Sequence, residues 1–253
     1  MTFPLLFGSL LSLMVAATHV ATASPESPEI EVALRSDKER YHLAEPVQLT
    51  VTFENKGTQP IRGYLCAAVW CDATTLLYGR GSAPFVPYGY PPLIVDTETG
   101  LKRIEIYYGY FQRTLEPGAS VRHELRVVLD GNTDRPVLSS PGKYEFQIHY
   151  QDTVEGHDVN LSSNVVRVQA TPAPGEAPAA FAAYLRLLRF VQHPVIWNNP
   201  SDVPVEFLAA HGGSAYVSVL RRAQLVALTR HVLSGHASRA EQELYRRLKE
   251  EFP

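Results

Sequence analysis

The sequence contains little cysteine, no dense run of one charge and no recognisable catalytic motif. Only two of its 253 residues are cysteine, and its formal net charge is −3. A near-neutral chain without a Lys/Arg cluster lacks the basic face that nucleic acid requires. Nucleophile elbows, paired-histidine metal motifs, phosphate loops and dinucleotide loops are also missing. We therefore expect no cofactor, no catalysis and no nucleic-acid partner.

The first 23 residues contain no Lys, Arg, Asp or Glu, and residues 5–17 form an apolar block. Ala21-Thr22-Ala23 then supplies a small-x-small cleavage pattern. This arrangement predicts a signal peptide over 1–23, cleaved near Ala23, and a secreted or periplasmic protein. The alternative is an uncleaved membrane anchor, although the block is short for a spanning helix. No later segment is long and apolar enough to cross a membrane, so we expect no membrane span in the mature chain.

Cys66 and Cys71 are the two cysteines, and Trp70 lies between them. Export favours a disulfide between them. Residues five apart on one straight strand point to opposite faces, so this bond requires a turn or bulge. The alternative is a pair of unpaired, buried thiols. A zinc site is not expected, because two cysteines without a nearby histidine pair do not complete a tetrahedral ligand set.

Alternation of apolar and polar residues marks several segments between residues 28 and 170. It is clearest in 47–53, 121–129 and 144–150, each bounded by Gly, Pro or Asn turn residues. A period of two residues indicates a strand with one buried face, and short strands separated by turn signals favour two packed sheets. We expect a mainly β protein with an α tail, in which an Ig-like antiparallel β-sandwich covers 28–170.

The pattern changes after a Pro-rich linker over 171–178. Apolar residues then recur at helical spacing, which predicts a helical C-terminal domain over 179–253. Ser201-Asp202 is the expected cap of a short helix over 203–210. Ser238, followed three residues later by Glu241, predicts the capping box of the last helix.

Three motifs carry a resemblance to a known class of domain. They are Glu45-Pro46-Val47 with Asn55-x-Gly57 at the end of its strand, the turn Leu115-Glu116-Pro117-Gly118, and Pro141-Gly142-x-Tyr144. In these the chain resembles exported bacterial Ig-like domains, including macroglobulin-type and CARDB-like modules, over roughly 28–170. The resemblance implies that Tyr144 is similar to the tyrosine corner of Ig folds. The helical tail is similar to the last helix of a tetratricopeptide-like unit. These resemblances imply a fold and no activity.

Aromatic residues concentrate in one irregular segment over 78–95 that is rich in Pro and Gly. Pro removes ladder donors, so we interpret this segment as a long ordered loop, and such loops are often functional. Tyr and Trp offer rigid contact area at low entropic cost. We expect it to contact an envelope or extracellular protein, or a carbohydrate. The alternative is that these rings fill the core under an open sheet edge. The candidate partner-binding residues are Trp70, Tyr78, Phe85, Tyr88, Tyr90 and Tyr108.

The sequence leaves three functions open. The first is a non-catalytic binding or scaffolding protein of the cell envelope. The second is a secreted inhibitor of a hydrolase or protease, which would present the rigid Pro-rich loop to its target enzyme. The third is an enzyme with an unrecognised site, for which His149, Asp152, His157 and Asp158 are the one conceivable metal cluster.

Overall fold

The computed structural model describes residues 28–65, 73–88, 113–194 and 201–252. The predicted signal peptide and the Cys66–Cys71 pair lie outside these residues. Strands occupy the described chain from Ile30 to Thr171, and helices occupy it from Pro178 to Glu251. The strands are β1 (Ile30–Ser36), β2 (Arg40–His42), β3 (Val47–Asn55), β4 (Ile61–Gly63), β5 (Thr74–Arg80), β6 (Val86–Pro87), β7 (Arg113–Leu115), β8 (Ser120–Val127), β9 (Leu129–Asp130), β10 (Arg135–Pro136), β11 (Gly142–Val154), β12 (His157–Ser162) and β13 (Val166–Thr171). The helices are α1 (Pro178–Leu185), α2 (Leu188–Gln192), α3 (Val205–Ala210), α4 (Val217–Leu233) and α5 (Arg239–Glu251).

Sheet A contains β1, β3 and β8 in antiparallel order, with β3 in the centre. The alternation predicted for β3 is confirmed, because its odd-numbered residues are buried and its even-numbered residues are partly exposed. Both edges of β3 are taken by β1 and β8, and β4 pairs with β7.

Sheet B has the order β2-β13-β11-β5-β6, and β12 also pairs with β11. The 13-residue β11 pairs with β5 along one edge and with β13, then β12, along the other. The β2–β13 pair is parallel, so this sheet is mixed. The hairpin between β11 and β12 was not predicted. Its turn is Glu155-Gly156, and both residues have positive φ, which matches a two-residue hairpin turn.

The two sheets share one hydrophobic core to which both contribute apolar faces. Phe53 of sheet A meets Tyr150 of sheet B edge to face at 5.1 Å between ring centroids. The Asn164 side chain adds a polar link, because its amide oxygen accepts from Leu34 N and its amide nitrogen donates to Leu34 O. The chain is therefore mainly β, with antiparallel and mixed sheets followed by C-terminal helices.

The helical spacing of apolar residues continues over 181–191, but the chain there is divided between α1 and α2. The cap of α3 is Pro204 without a side-chain hydrogen bond, so the cap predicted at Ser201-Asp202 is wrong. The capping box of α5 is confirmed, with Ser238 and Glu241 bonded reciprocally. Among the described helices, none combines the length and the apolar character that a membrane crossing needs.

The helices pack against the β-sheet part through a second core. From the β part, Ala44, Val128, Leu129 and Ala173 contribute buried side chains. Opposite them, the stacked rings of Tyr184 and Tyr216 lie 4.0 Å apart. Their hydroxyls donate to two consecutive carbonyls, Tyr184 to Ala44 O at 2.9 Å and Tyr216 to Leu43 O at 2.8 Å. The helical segment is thus anchored on the turn between β2 and β3.

Candidate functional site

Residues 81–87, which we call the contact tip, form the end of the β5–β6 hairpin. Backbone bonds hold both ends of this segment. Ala83 N donates to Arg80 O at 3.1 Å, and Tyr88 N donates to Leu76 O at 2.7 Å. The tip is therefore an ordered projection from sheet B with its backbone fixed at its base.

The contact tip presents apolar side chains at an edge of sheet B. Val86 is 44% exposed, and Phe85 is partly exposed beside it. Pro84 and Pro87 flank the pair, and Pro87 lies in the edge strand β6. Because proline has no N–H, Pro87 limits pairing of this edge with a further strand. The surface therefore suits side-chain contact more than strand addition.

Two tyrosines support the tip from inside. Tyr88 is 8% exposed, and its ring meets that of Tyr78 edge to face at 6.4 Å. Tyr78 in turn stacks against Phe146 of β11 and donates its hydroxyl to the Asp130 carboxylate. Asp130 is itself buried and accepts a second bond from Asn132 N at 2.8 Å. The inner face of the tip is thus tied to β9 and to the main core.

Gln192, the last residue of α2, connects this cluster to the helices. Its side chain is buried, and its amide nitrogen donates to the Tyr88 hydroxyl at 3.2 Å. Its amide oxygen accepts from Val128 N at 3.1 Å and from Leu129 N at 3.0 Å. A single side chain therefore joins the base of the tip, the β8–β9 junction and the helical segment.

The electrostatics of the cluster favour a structural role. Burial raises the pKa of Tyr78, and its hydrogen bond to Asp130 raises it further. The Tyr78 hydroxyl therefore stays protonated at physiological pH and acts as a donor. A tyrosine held in this state serves poorly as a general base. The arrangement holds the apolar surface of the tip in a fixed position.

The structure divides the predicted partner-binding residues into three groups. Trp70, Tyr90 and Tyr108 lie outside the described residues. Tyr78 and Tyr88 face inward and act as internal supports, and Phe85 lies on the tip. Sequence reasoning missed Val86. Its position between Phe85 and Pro87 in the aromatic segment was the one available signal. Sequence reasoning also missed Gln192, for which a polar residue at an apolar helical position was the only signal.

The conceivable metal cluster does not assemble. His149 and Asp152 lie on opposite faces of β11, because an odd number of positions separates them. His149 contacts Ser162 Oγ at 3.1 Å, whereas Asp152 accepts from the Tyr150 hydroxyl at 3.0 Å. More generally, no three His, Cys, Asp or Glu side chains come close enough to share an ion within the part of the chain that the structure describes.

Comparisons with known proteins find only weak similarity to solved structures. No protein-family model and no curated protein matches the chain. Among solved structures it is similar to a CARDB domain from Pyrococcus furiosus, with 11% identity over 60% of this chain and 100% of that one, at a TM-score of 0.30. It is also similar to a sporulation control protein from Bacillus subtilis, with 15% identity over 62% of this chain and 55% of that one, at a TM-score of 0.31.

A third similar structure is a β-glucosidase from Erythrobacter marinus. The identity is 12%, the TM-score is 0.32, and the match covers 57% of this chain. The chain spans only 16% of the length of that enzyme. At these TM-scores the similarities are weak and carry no functional argument.

Proposed function

We propose that this chain is an exported, non-catalytic binding or scaffolding protein of the cell envelope that contacts its partner through the contact tip. The observation that carries the proposal is an apolar pair, the exposed Val86 and the partly exposed Phe85, on a backbone supported from inside by Tyr78 and Tyr88. Rigid apolar projections make favourable contact points because little side-chain or loop ordering opposes binding. The partner is an envelope or extracellular protein, or a carbohydrate.

The proposed scaffold for this tip is an Ig-like β-sandwich followed by a tetratricopeptide-like helical tail. The Tyr144 hydroxyl supports the first part. It donates to Ser140 O at 3.0 Å, four residues upstream and at the start of a long strand, as in a tyrosine corner. The antiparallel hairpin of α4 and α5 supports the second. Export, to the periplasm or the exterior, is supported by the uncharged N-terminal 23 residues and their small-x-small pattern.

The proposal is tested by capture from cell-envelope extract. The intact chain is compared with the double variant Phe85→Ser/Val86→Ser and with Val205→Ser. Val205 is a suitable control, because it is 51% exposed and lies in the helical segment. We expect a partner that the intact chain and the control capture and the tip variant does not. Equal capture by all three would show that the tip is not the contact surface.

A secreted inhibitor of a hydrolase or protease is the second candidate. The specific observation in its favour is the fixed backbone at both ends of the tip, because inhibitory loops gain affinity from preorganisation. The purified chain would be titrated against a panel of secreted proteases and glycosidases. This candidate predicts nanomolar inhibition of at least one enzyme, lost in Phe85→Ser/Val86→Ser and kept in Val205→Ser. Absence of inhibition across the panel leaves the binding proposal as the better account.

A further inference from the structure

Gln192 is placed to make the geometry of the contact tip depend on the helical segment. Resting on the proposed role of the tip, we propose that Gln192 is a positioning residue. Through Tyr88 it holds the contact tip in its binding geometry only while the helices are docked. Docking of the helices and binding of a partner at the tip are then coupled equilibria.

The three hydrogen bonds of Gln192 point in two directions. Its amide oxygen accepts from the consecutive backbone amides of Val128 and Leu129, at the break between β8 and β9. Its amide nitrogen donates to the hydroxyl of Tyr88, the residue that directly follows the tip. Since Gln192 is only 6% exposed, water does not substitute readily for these partners. Undocking the helices would break the bonds of the Val128 and Leu129 amides and of the Tyr88 hydroxyl to Gln192.

The helices are also anchored independently of the tip. Tyr184 and Tyr216 bind the carbonyls of Ala44 and Leu43. On the exposed side, Arg189 pairs with Asp134 at 2.7 Å. Loss of the Tyr88 hydroxyl should therefore free the tip while the helices stay docked. This separation makes the role of the Gln192–Tyr88 bond measurable.

Coupling of this kind acts in both directions. If docked helices favour the binding geometry of the tip, a partner on the tip must stabilise the docked helices by the same factor. Binding of a partner at the tip would then stabilise the docked state of the helices. A second partner that binds the helices could in turn change the affinity of the tip for its partner.

The test is amide hydrogen exchange on the full chain. Tyr88→Phe removes only the hydroxyl that bonds Gln192. Tyr245→Phe in α5 is the control, because it removes one tyrosine hydroxyl from the helical segment without touching the tip or the bonds that dock the helices. We expect exchange at the Tyr88 amide to rise about five-fold in Tyr88→Phe, as loss of one hydrogen bond implies. Exchange at the Val191 amide in α2 should stay unchanged, and the control should leave the Tyr88 amide unchanged.

The readout separates positioning from general stability. A merely structural bond would raise exchange at Tyr88 and Val191 together, and that result, or no rise at Tyr88, would overturn the inference. Partner capture is measured on the same variants. Faster exchange at the tip with undiminished capture would contradict the proposed function while supporting the positioning role. Reduced capture of the partner together with faster exchange at the Tyr88 amide supports both the positioning role and the proposed function.

Discussion

At the scale of single residues, six tyrosines share one arrangement. Each has an apolar ring packed inside the protein and a hydroxyl that donates to an acceptor inside the chain. Burial is the largest cause that raises the pKa in five of them, so these hydroxyls stay neutral and keep donating across the physiological range. The five are Tyr41, Tyr78, Tyr150, Tyr184 and Tyr216. Tyr184 and Tyr216 join the helices to the turn between β2 and β3, and Tyr78 joins β5 to β9.

Tyr144 provides the simplest test of this arrangement. Tyr144→Phe keeps the buried ring and removes the bond to Ser140 O. We expect the free energy of unfolding to fall by about 1–2 kcal/mol, because a partly buried acceptor loses its donor. Urea unfolding measures this, and Tyr245→Phe in α5 is the control, since its ring is only partly buried. An equal effect of the two substitutions would count against a specific role for the Tyr144 hydroxyl.

Asn55 is a stronger test, because it is fully buried. Its amide nitrogen donates to Gln59 O at 2.8 Å and Leu115 O at 2.9 Å, and its oxygen accepts from Gly57 N at 2.9 Å. Asn55→Asp would place a carboxylate against two carbonyl oxygens. We expect a loss of about 3 kcal/mol or more. Chemical denaturation of this variant and of the exposed Asn160→Asp separates this clash from the effect of added charge.

At the scale of elements, alternation predicted the central strands because one face of each is buried and the other is not. The same reasoning missed β12, since its residues 157–162 are mostly polar and pair with the C-terminal half of β11. Helical spacing also does not mark the break at Arg186 and Leu187 between α1 and α2, because the apolar period continues across it. Periodicity reports which face is buried, and it does not report where a helix stops or which strand is the neighbour.

The capping box of α5 allows a prediction confined to one element. Ser238→Ala removes the acceptor of the Glu241 amide. We expect a cost of about 1 kcal/mol that falls on α5. Hydrogen exchange in the first turn of α5 should quicken, with exchange in β3 unchanged. A uniform change across the chain would contradict this local role.

Acid should weaken the end of α2. Burial, with the neighbouring Arg189, lowers the pKa of His193 to about 4. Between pH 6.5 and pH 4 the unfolded chain therefore binds a proton that the folded chain does not, so stability is full above this window and falls as pH drops through it. We expect a loss of about 1–2 kcal/mol, since partial solvation reduces the full effect. Denaturation midpoints from pH 7 to 4 should fall less steeply for His193→Asn, and equal slopes would contradict the assignment.

At the scale of the whole molecule, the helices and sheets form one structure joined by a second core and a set of buried hydrogen bonds. The sequence predicted the two parts from their different periods. It could not predict their docking, because the contacts of Gln192 and Tyr184 join residues more than 60 positions apart. The aromatic segment was identifiable from composition. Which of its side chains face outward depends on the pairing of β5 and β6, which composition does not contain.

The central claim is that the contact tip touches the partner. The most direct test places a photo-activatable crosslinking residue at Val86 and, in a second chain, at the equally exposed Val205. The account predicts a crosslinked partner from position 86 in envelope extract, abolished by excess unmodified chain, and none from position 205. A crosslink from position 205 with none from position 86 would contradict it and assign the contact to the helical segment.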